Sequence, residues 1–182
     1  MDVKILKQFA NESELKELKE WILFLRDTGM LPPNQYGPGR YYNPLGAVPN
    51  HPPAITRIKC DLQAKFNITG KCVDLTNPAE VKRTGATPSF IGMQTKGGFV
   101  QPHVDINIGE ELQFRCTLLV SKPEKGGKLV LAHKEYSMDE GDVYCFVSNN
   151  TIHGSTPVKG NKPRMACSLG FIVDKSFRFD LE

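Results

Sequence analysis

The stretch GGFVQPHVDINIG (residues 97–109) places a histidine and an aspartate two residues apart in an otherwise apolar segment. In a β-strand, residues i and i+2 project from the same face, so a strand here would set His103 and Asp105 side by side. Two readings are open at this point. The two side chains are either a surface pair beside a turn or two ligands of one metal ion, and the flanking sequence has to decide between them.

From about residue 86 the chain reads as a series of short β-strands. Runs rich in β-branched and aromatic residues alternate with turn signals such as KPEKGG (122–127), DEGD (139–142) and SNN (148–150). The predicted strands are SFIGMQ, GFVQPHVD, LQFRCTLLV, KLVLA, DVYCFV, TIHGSTPV and RMACSLGFIV. Short strands at such close spacing are typical of a sandwich, a jelly roll or a barrel.

The residues before this β-rich part predict helices. NESELKELKEWILFLRDTG (11–29) offers Asn11 as the N-cap, Glu14 three residues later, apolar residues at helical spacing and Gly29 as the stop. A second helix is predicted in PAITRIKCDLQAKFNI (53–68). We therefore expect one α+β domain over 1–182, mainly β, with a helical layer and a proline-rich loop in 1–85 and a β core in 86–175.

Composition excludes several classes of protein. With 40% apolar residues, 24% charged residues and a net charge of +3, the chain resembles a globular protein and shows no clustered basic surface for nucleic acid. The five cysteines show no C-x-x-C spacing, which favours free thiols in a reducing compartment. Neither a signal peptide nor a membrane-spanning run is present, so we expect a cytoplasmic protein. The sequence does not indicate an oligomeric state.

A third candidate ligand, His153, follows Asp105 by 48 residues, at the start of a later predicted strand. Distant strands lie side by side in a rolled β-sandwich, so His153 can join the other two side chains. Two histidines and one carboxylate with open positions are typical of a non-haem Fe(II) oxygenase. Catalytic zinc also takes three protein ligands, so the ligand types alone do not select iron. Arg164, eleven residues after His153, offers a guanidinium that binds a carboxylate through two hydrogen bonds.

The segment from about 88 to 173 resembles the double-stranded β-helix core of Fe(II)/2-oxoglutarate-dependent dioxygenases, nearest to the prolyl-hydroxylase-like branch. The resemblance rests on an ordered set of motifs: Gly97, HVD (103–105), RCTLLV, Gly126–Gly127, EGDVYCF, His153, PV (157–158), Gly160 and Arg164. It implies that His103, Asp105 and His153 bind Fe(II) and that Arg164 binds the 5-carboxylate of 2-oxoglutarate. It also implies an oxygenase that uses O2, releases succinate and CO2, and hydroxylates a C–H bond. A structural β-roll and a zinc or metal-free cupin are the alternatives, although the common cupin pattern H-x-H is absent.

Three positions depart from the family pattern. Gln94 stands where relatives often carry a tyrosine that touches the cosubstrate, and its amide can donate a similar hydrogen bond. Val120 lies near another position where relatives place a tyrosine, so we expect that contact to be lost. Lys162, two residues before Arg164, is a rival anchor because some prolyl hydroxylases use lysine. His133, the remaining histidine of the predicted β core, is expected to be a solvated residue rather than a ligand.

The substrate is the least determined property. The small size of the chain favours a small molecule, such as an amino acid or a natural-product intermediate, whereas the prolyl-hydroxylase resemblance favours a peptide or protein side chain. Nucleic-acid demethylation fits less well, because the R-x-N-x-T-x-R run of that branch is absent. The proline-rich segment 31–53 is predicted to be irregular and is either a connector or a substrate-facing wall. In the second case Arg40 is expected to meet an anionic group of the substrate, beside Tyr36, Tyr41, Tyr42 and Asn43.

Overall fold

The computed structural model describes residues 3–34, 37–68 and 73–179. Three helices are α1 (Glu12–Asp27), α2 (Pro53–Lys65) and α3 (Pro78–Thr84). The predicted capping box of α1 is present, since the Asn11 side chain accepts from the Glu14 amide and the Glu14 carboxylate accepts from the Asn11 amide. In the described part of the chain, no helix has the length and apolar character needed to cross a membrane.

Helix α3 was not predicted from the sequence. It begins at a proline directly after Asn77, whose side chain accepts a hydrogen bond from the Ala79 amide, and it ends at Gly85 with a φ of +69°. An N-cap asparagine, a proline at the first helical position and a glycine stop are therefore all present in NPAEVKRTG (77–85). The stretch contains few apolar residues, so it has no helical periodicity that would mark it as a helix.

The strands are short except for two of ten residues each. In chain order they are β1 (Lys4–Leu6), β2 (Arg40–Pro44), β3 (Val73–Asp74), β4 (Phe90–Gln94), β5 (Leu112–Ser121), β6 (Lys125–Gly126), β7 (Leu129–Leu131), β8 (Lys134–Tyr136), β9 (Val143–Val147), β10 (His153–Ser155), β11 (Val158–Lys159) and β12 (Arg164–Val173). The large sheet has the order β1-β9-β5-β12-β4-β2, and β3 also pairs with β12. Smaller sheets are formed by β10-β7-β8 and by β11-β6, and every pairing is antiparallel.

Both faces of the large sheet are covered, which explains why β5 and β12 are buried along almost their whole length. Alternate residues such as Phe114, Cys116 and Phe171 join the main hydrophobic core together with the buried faces of α1 and α2. The opposite set turns towards the β10-β7-β8 sheet, where Tyr144 and Phe146 pack with Leu129 and other apolar residues. A period of two therefore assigns one face of each long strand to the core and the other to the space between the sheets.

Two sequence predictions are wrong at the level of secondary structure. The segment 31–53 is not wholly irregular: Arg40–Pro44 forms β2, which pairs with β4, and Leu45–Ala47 forms one short 3-10 turn. Proline is tolerated here because β2 lies at the edge of the sheet. The run GFVQPHVD is not a regular strand. Its backbone is irregular apart from one isolated β-bridge at His103, and Pro102 has no N–H to donate to a neighbouring strand.

The part of the chain before residue 86 is also more than a helical layer with a loop. It contributes β1 at one edge of the large sheet, β2 at the other edge, and β3 beside β12. The predicted strands in the later part correspond to β4, β5, β7, β9, β10 with β11, and β12. Short edge strands of two to five residues carry too little periodic pattern to be found from sequence alone.

Candidate metal centre and cosubstrate pocket

A cavity of about 830 Å³ lies between the large sheet and the β10-β7-β8 sheet. Its volume lies towards the upper end of the range of small-molecule sites. The side chains that the sequence singled out and that line it are Arg40, Tyr41, Tyr42, Gln94, His103, Asp105, His153 and Arg164. Tyr36 lies outside the described residues, and neither Asn43 nor Lys162 lines the cavity.

A two-bond backbone bridge brings His103 and His153 together. Each amide donates to the carbonyl oxygen of the other residue, with N···O distances of 3.0 and 2.8 Å. The ring centroids are consequently 4.2 Å apart. Gly154 allows the two segments to approach this closely, because a Cβ at that position would lie only 2.7 Å from the carbonyl oxygen of Val100.

Asp105 joins the two rings although its segment is not a regular strand. Its amide donates to the carbonyl oxygen of Ser148 at 3.1 Å, which ties the segment to the end of β9. The Nε2 atoms of His103 and His153 lie 3.6 and 3.8 Å from Oδ1 of Asp105. The three ligand atoms all fall within 4.8 Å of one another, so one ion can be shared by them.

The donor atoms are oriented as a metal site requires. The Nδ1 atoms of His103 and His153 lie 2.8 and 2.9 Å from the carbonyl oxygens of Gln101 and Thr151, in each case two residues earlier. These contacts fix the tautomer with the proton on Nδ1 and leave the Nε2 lone pair for a metal. Oδ2 of Asp105 is buried and makes no hydrogen bond to the described residues. The residues present therefore fit a divalent ion held by two imidazoles and one carboxylate.

The protonation states of Asp105 and His153 agree with this arrangement. Burial lowers the pKa of His153 to about 4, so the ring is neutral at pH 7. Burial alone would raise the pKa of Asp105, but the neighbouring His103 ring and the charge of Arg115 hold it well below its usual range. The His103 side chain, 45% exposed, has its pKa raised by the nearby Asp105 carboxylate. A carboxylate and a neutral imidazole are the forms that bind a cation.

A buried arginine, Arg164, lines the same cavity. Arg164 is 6% exposed, and its Nη2 lies 3.5 Å from the hydroxyl of Tyr144, which is also buried. Nε of Arg164 makes no hydrogen bond to the described residues. A buried guanidinium with unused donors beside a phenol hydroxyl is suited to one carboxylate.

Lys162, the rival anchor, points away from the cavity. Its Nζ lies 2.7 Å from Oε1 of Glu140, and its side chain is 47% exposed. Val120 also faces away, because it packs in the core between the large sheet and the helices. Tyr144 on β9 thus supplies a hydroxyl to the cavity, whereas Val120 contributes nothing to it.

Gln94 stands between two arginines in one row of the large sheet. It pairs in register with Arg164 on β12 and with Arg40 on β2. Its Oε1 accepts a hydrogen bond from the Ser155 hydroxyl at 3.2 Å, which leaves its amide NH2 for a ligand. Tyr42, two residues from Arg40 on the same strand, packs on Phe90 with ring centroids 4.9 Å apart.

His133 is exposed in the turn between β7 and β8 and does not line the cavity. It does not belong to the cluster of His103, Asp105 and His153 either. Among the described cysteines, Cys116, Cys145 and Cys167 are buried free thiols and Cys60 is an exposed one.

Two residues of the site were missed by the sequence analysis. Arg115 on β5 is buried beside Asp105, and Tyr144 was treated as part of an apolar strand. A charged residue in the middle of the apolar run LQFRCTLLV is a signal for the first, because an arginine is almost never buried without a partner. Tyr144 gives no such signal, since tyrosine is common in ordinary strands.

No protein-family model matches the chain, and no curated protein matches it by sequence. Solved structures do match it. The viral collagen prolyl hydroxylase vCPH of Paramecium bursaria Chlorella virus-1, in its complex with 2-oxoglutarate, has a TM-score of 0.69 and 13% identity, over 94% of this chain and 96% of that one. A prolyl hydroxylase of Trichoplax adhaerens, bound to a peptide of a hypoxia-inducible factor, has a TM-score of 0.68 and 17% identity, over 99% and 87%.

A third similar structure binds a small molecule. HygX of Streptomyces hygroscopicus, with nickel, 2-oxoglutarate and hygromycin B bound, has a TM-score of 0.63 and 10% identity, over 99% of this chain and 85% of that one. These likenesses extend over nearly the whole chain. They confirm the predicted fold: a mainly β chain with a double-stranded β-helix core, as in prolyl hydroxylases and other 2-oxoglutarate- and Fe(II)-dependent oxygenases.

Proposed function

We propose that this chain is an Fe(II)- and 2-oxoglutarate-dependent oxygenase that hydroxylates an unactivated C–H bond of a small molecule such as an amino acid or a natural-product intermediate. The observation that carries the proposal is the meeting, in one cavity, of a His-Asp-His cluster with a buried, incompletely hydrogen-bonded arginine. Neither feature alone selects this reaction. A metal cluster fits many hydrolases, and a buried arginine fits many anion sites.

His103, Asp105 and His153 would hold the ion through Nε2, a carboxylate oxygen and Nε2. Bound Fe(II) would supply the redox chemistry in which O2 and 2-oxoglutarate are consumed, succinate and CO2 are released, and one oxygen atom enters the substrate C–H bond. The Nδ1 hydrogen bonds keep both rings oriented before any ligand arrives. Such preorganisation lowers the cost of assembling the site.

Arg164 and Tyr144 would bind the distal carboxylate of 2-oxoglutarate, the guanidinium through two N–H donors and the phenol through one O–H. Gln94 lies beside Arg164 in the sheet and would donate its amide NH2 to the same molecule. These donors are fixed in the sheet, so they orient a keto acid towards the metal cluster rather than merely attract it. Burial strengthens each of these hydrogen bonds because water does not compete.

The second candidate is hydroxylation of a prolyl or other side chain in a peptide or protein. It is supported by the likeness to prolyl hydroxylases, one of which is bound to a peptide. The likeness to HygX, bound to hygromycin B, supports a small molecule equally well at the level of fold. Cavity size does not separate the two classes, because a single peptide side chain also enters a cavity of this volume.

The test is an anaerobic titration of the purified protein with Fe(II) and 2-oxoglutarate, followed by O2 and a substrate panel. The panel contains free amino acids and proline-containing peptides, and succinate and the mass of each substrate are measured. We expect succinate release that an amino acid or a related small molecule stimulates, with one oxygen atom added to that molecule. Stimulation by the peptides alone would support the second candidate, and an absence of succinate under all conditions would exclude both.

A further inference from the structure

The cavity carries an excess of positive charge that the metal and cosubstrate do not remove. Its charged lining residues in the described part of the chain are Arg40, Arg115, Arg164 and a single carboxylate, Asp105. A divalent metal ion and the 2-oxoglutarate dianion would cancel each other. The carboxylate of Asp105 faces Arg115 at 3.3 Å, so Arg115 is compensated and Arg164 is assigned to the cosubstrate. The net charge of these lining residues, the metal ion and the cosubstrate is then +2, and among the described residues Arg40 is the arginine that faces neither Asp105 nor the site assigned to the cosubstrate.

The contacts of Arg40 agree with this count. No carboxylate among the described residues lies within ion-pair distance of its guanidinium, and its side chain makes no hydrogen bond to them. In contrast, the surface residue Arg57 has both Glu14 and Asp61 as partners. Burial lowers the pKa of Arg40 from its ordinary value, yet a guanidinium stays charged at neutral pH. A half-buried cation that has no carboxylate partner within the described part of the chain is stabilised by any anion that reaches it.

The position of Arg40 favours the substrate over the cosubstrate as the source of the anion that it binds. It stands on the edge strand β2, one strand beyond Gln94 and two strands from Arg164. Neighbouring strands are spaced by about 4.8 Å, so the two arginine backbones are separated by roughly 10 Å. Arg40 and His103 both line this one cavity. An anion on Arg40 would therefore lie beside the metal cluster at the outer side of the cavity.

The cavity that Arg40 lines also has apolar walls. Tyr42 and Phe90 form a packed aromatic pair on the β2–β4 side of the cavity. Val104 and Ile106 line the cavity and are 48% and 61% exposed, which is unusual for such side chains. An apolar body would cover these surfaces while an acidic group reaches the guanidinium.

We infer that the substrate is a small carboxylic acid with an apolar body, and that Arg40 determines this specificity by binding the carboxylate. The inference rests on the proposed function, because it names the substrate of that site. The fork of a guanidinium matches the two oxygens of a carboxylate. The acidic group would fix which C–H bond of the apolar body lies next to the metal cluster.

The test compares acids with their primary amides, which have the same shape and no charge. The probes are 4-methylpentanoate and 3-phenylpropionate with their amides, titrated by NMR into protein saturated with 2-oxoglutarate and Zn(II), an ion without redox chemistry. We expect each acid to bind about tenfold or more tightly than its amide. Arg40→Gln should abolish this preference and Arg40→Lys should retain part of it. The control Lys96→Gln, which removes an exposed cation from the turn after β4, should leave it unchanged.

Equal binding of acids and amides, or a preference that survives Arg40→Gln, would overturn the inference. So would an Arg40→Gln variant that loses 2-oxoglutarate affinity as strongly as it loses the acids, since Arg40 would then bind the cosubstrate. If the protein bound neither Zn(II) nor 2-oxoglutarate, the proposed function would fail separately. The same probes titrated into metal-free Arg164→Met protein, which lacks the rival anion site, would still decide whether Arg40 selects carboxylates.

Discussion

Nε of Arg115 lies 3.3 Å from Oδ2 of Asp105, and both side chains are buried. Arg115 is held in place on its other side, since Nη1 donates to the Ser168 hydroxyl at 3.1 Å and Nη2 donates to the carbonyl oxygen of Thr87 at 2.9 Å. The ring of Phe90 lies 5.3 Å below the guanidinium. We therefore expect Arg115 to act as a positioning residue that holds the Asp105 carboxylate in place.

Replacing Arg115 with methionine is expected to weaken metal binding by about tenfold to a hundredfold, because an outer partner of a ligand is lost. It also leaves Asp105 as a buried charge without a partner, which should reduce the free energy of unfolding by about 3–5 kcal/mol. Calorimetric titration with Co(II) and chemical denaturation measure the two effects. If Arg115→Met does not fold, Co(II) affinity is measured on Arg115→Lys, which keeps the charge but not the guanidinium geometry.

The matched control is Arg57→Met, which removes an arginine with two carboxylate partners outside the cavity. Its Co(II) affinity should equal that of the unaltered protein. An Arg115→Met or Arg115→Lys protein with unchanged Co(II) affinity would contradict the positioning role.

Arg164 and Lys162, the two candidates for the 2-oxoglutarate anchor, make different contacts. Arg164→Met removes a charge-assisted pair of hydrogen bonds and should raise the dissociation constant of 2-oxoglutarate by roughly tenfold to a hundredfold or more. Lys162→Met should leave that constant unchanged, because Lys162 pairs with Glu140 at the surface. Equilibrium binding of 2-oxoglutarate in the presence of Zn(II) measures both variants. A larger loss in Lys162→Met would transfer the anchor to the lysine.

Tyr144 is expected to be the third donor to the same carboxylate. Tyr144→Phe keeps the ring and its packing on Phe146 but removes the hydroxyl beside Arg164. A hydrogen bond to a charged group contributes about 1.5–3 kcal/mol, so 2-oxoglutarate affinity should fall by about tenfold or more. Tyr136→Phe on β8, outside this cavity, is the control and should have no effect. Equal affinities in the two variants would remove Tyr144 from the site.

Much of this site could be predicted from the sequence, and the reasons for the rest are physical. His103, Asp105, His153 and Arg164 carry chemistry that an apolar core does not need, so they stand out in short β-rich runs. Tyr144 does not stand out, because a tyrosine fills a strand as readily as it donates a hydrogen bond. Pairing across strands, which sets Arg40 level with Gln94 and Arg164, depends on a register that no local pattern encodes.

The fold was predictable to a similar extent. The long strands and the first two helices have periodic apolar residues, whereas β2 is a run of tyrosine, asparagine and proline that reads as a loop. The irregular backbone around His103 was mistaken for a strand because its apolar residues alternate with polar ones. Pro102 and the close approach of this segment to Gly154 prevent a regular strand despite the alternation.

Acid should destabilise the protein through Glu140. Burial alone would raise the pKa of this carboxyl, but hydrogen bonds from Lys162, Lys19 and the Lys122 amide lower it to about 2 from an ordinary value of 4.5. A lowered folded-state pKa gives stability that is present above about pH 4.5 and is lost as the pH falls towards 2. Glu140→Gln should lose about 1 kcal/mol at pH 7, because solvent screens these partly exposed ion pairs, and show a flatter pH dependence between these limits. Denaturation at several pH values measures this, and parallel curves for the two proteins would contradict it.

His103, Asp105 and His153 are proposed to hold the Fe(II) at which 2-oxoglutarate is consumed. The most direct measurement is succinate released per protein in a single turnover, when anaerobic protein with Fe(II) and 2-oxoglutarate is mixed with O2. It is made on the unaltered protein, on His153→Ala and on the control His133→Ala. We predict succinate from the unaltered protein and from His133→Ala, and neither bound iron nor succinate for His153→Ala. Undiminished succinate from His153→Ala, or none from the unaltered protein, would contradict the claim.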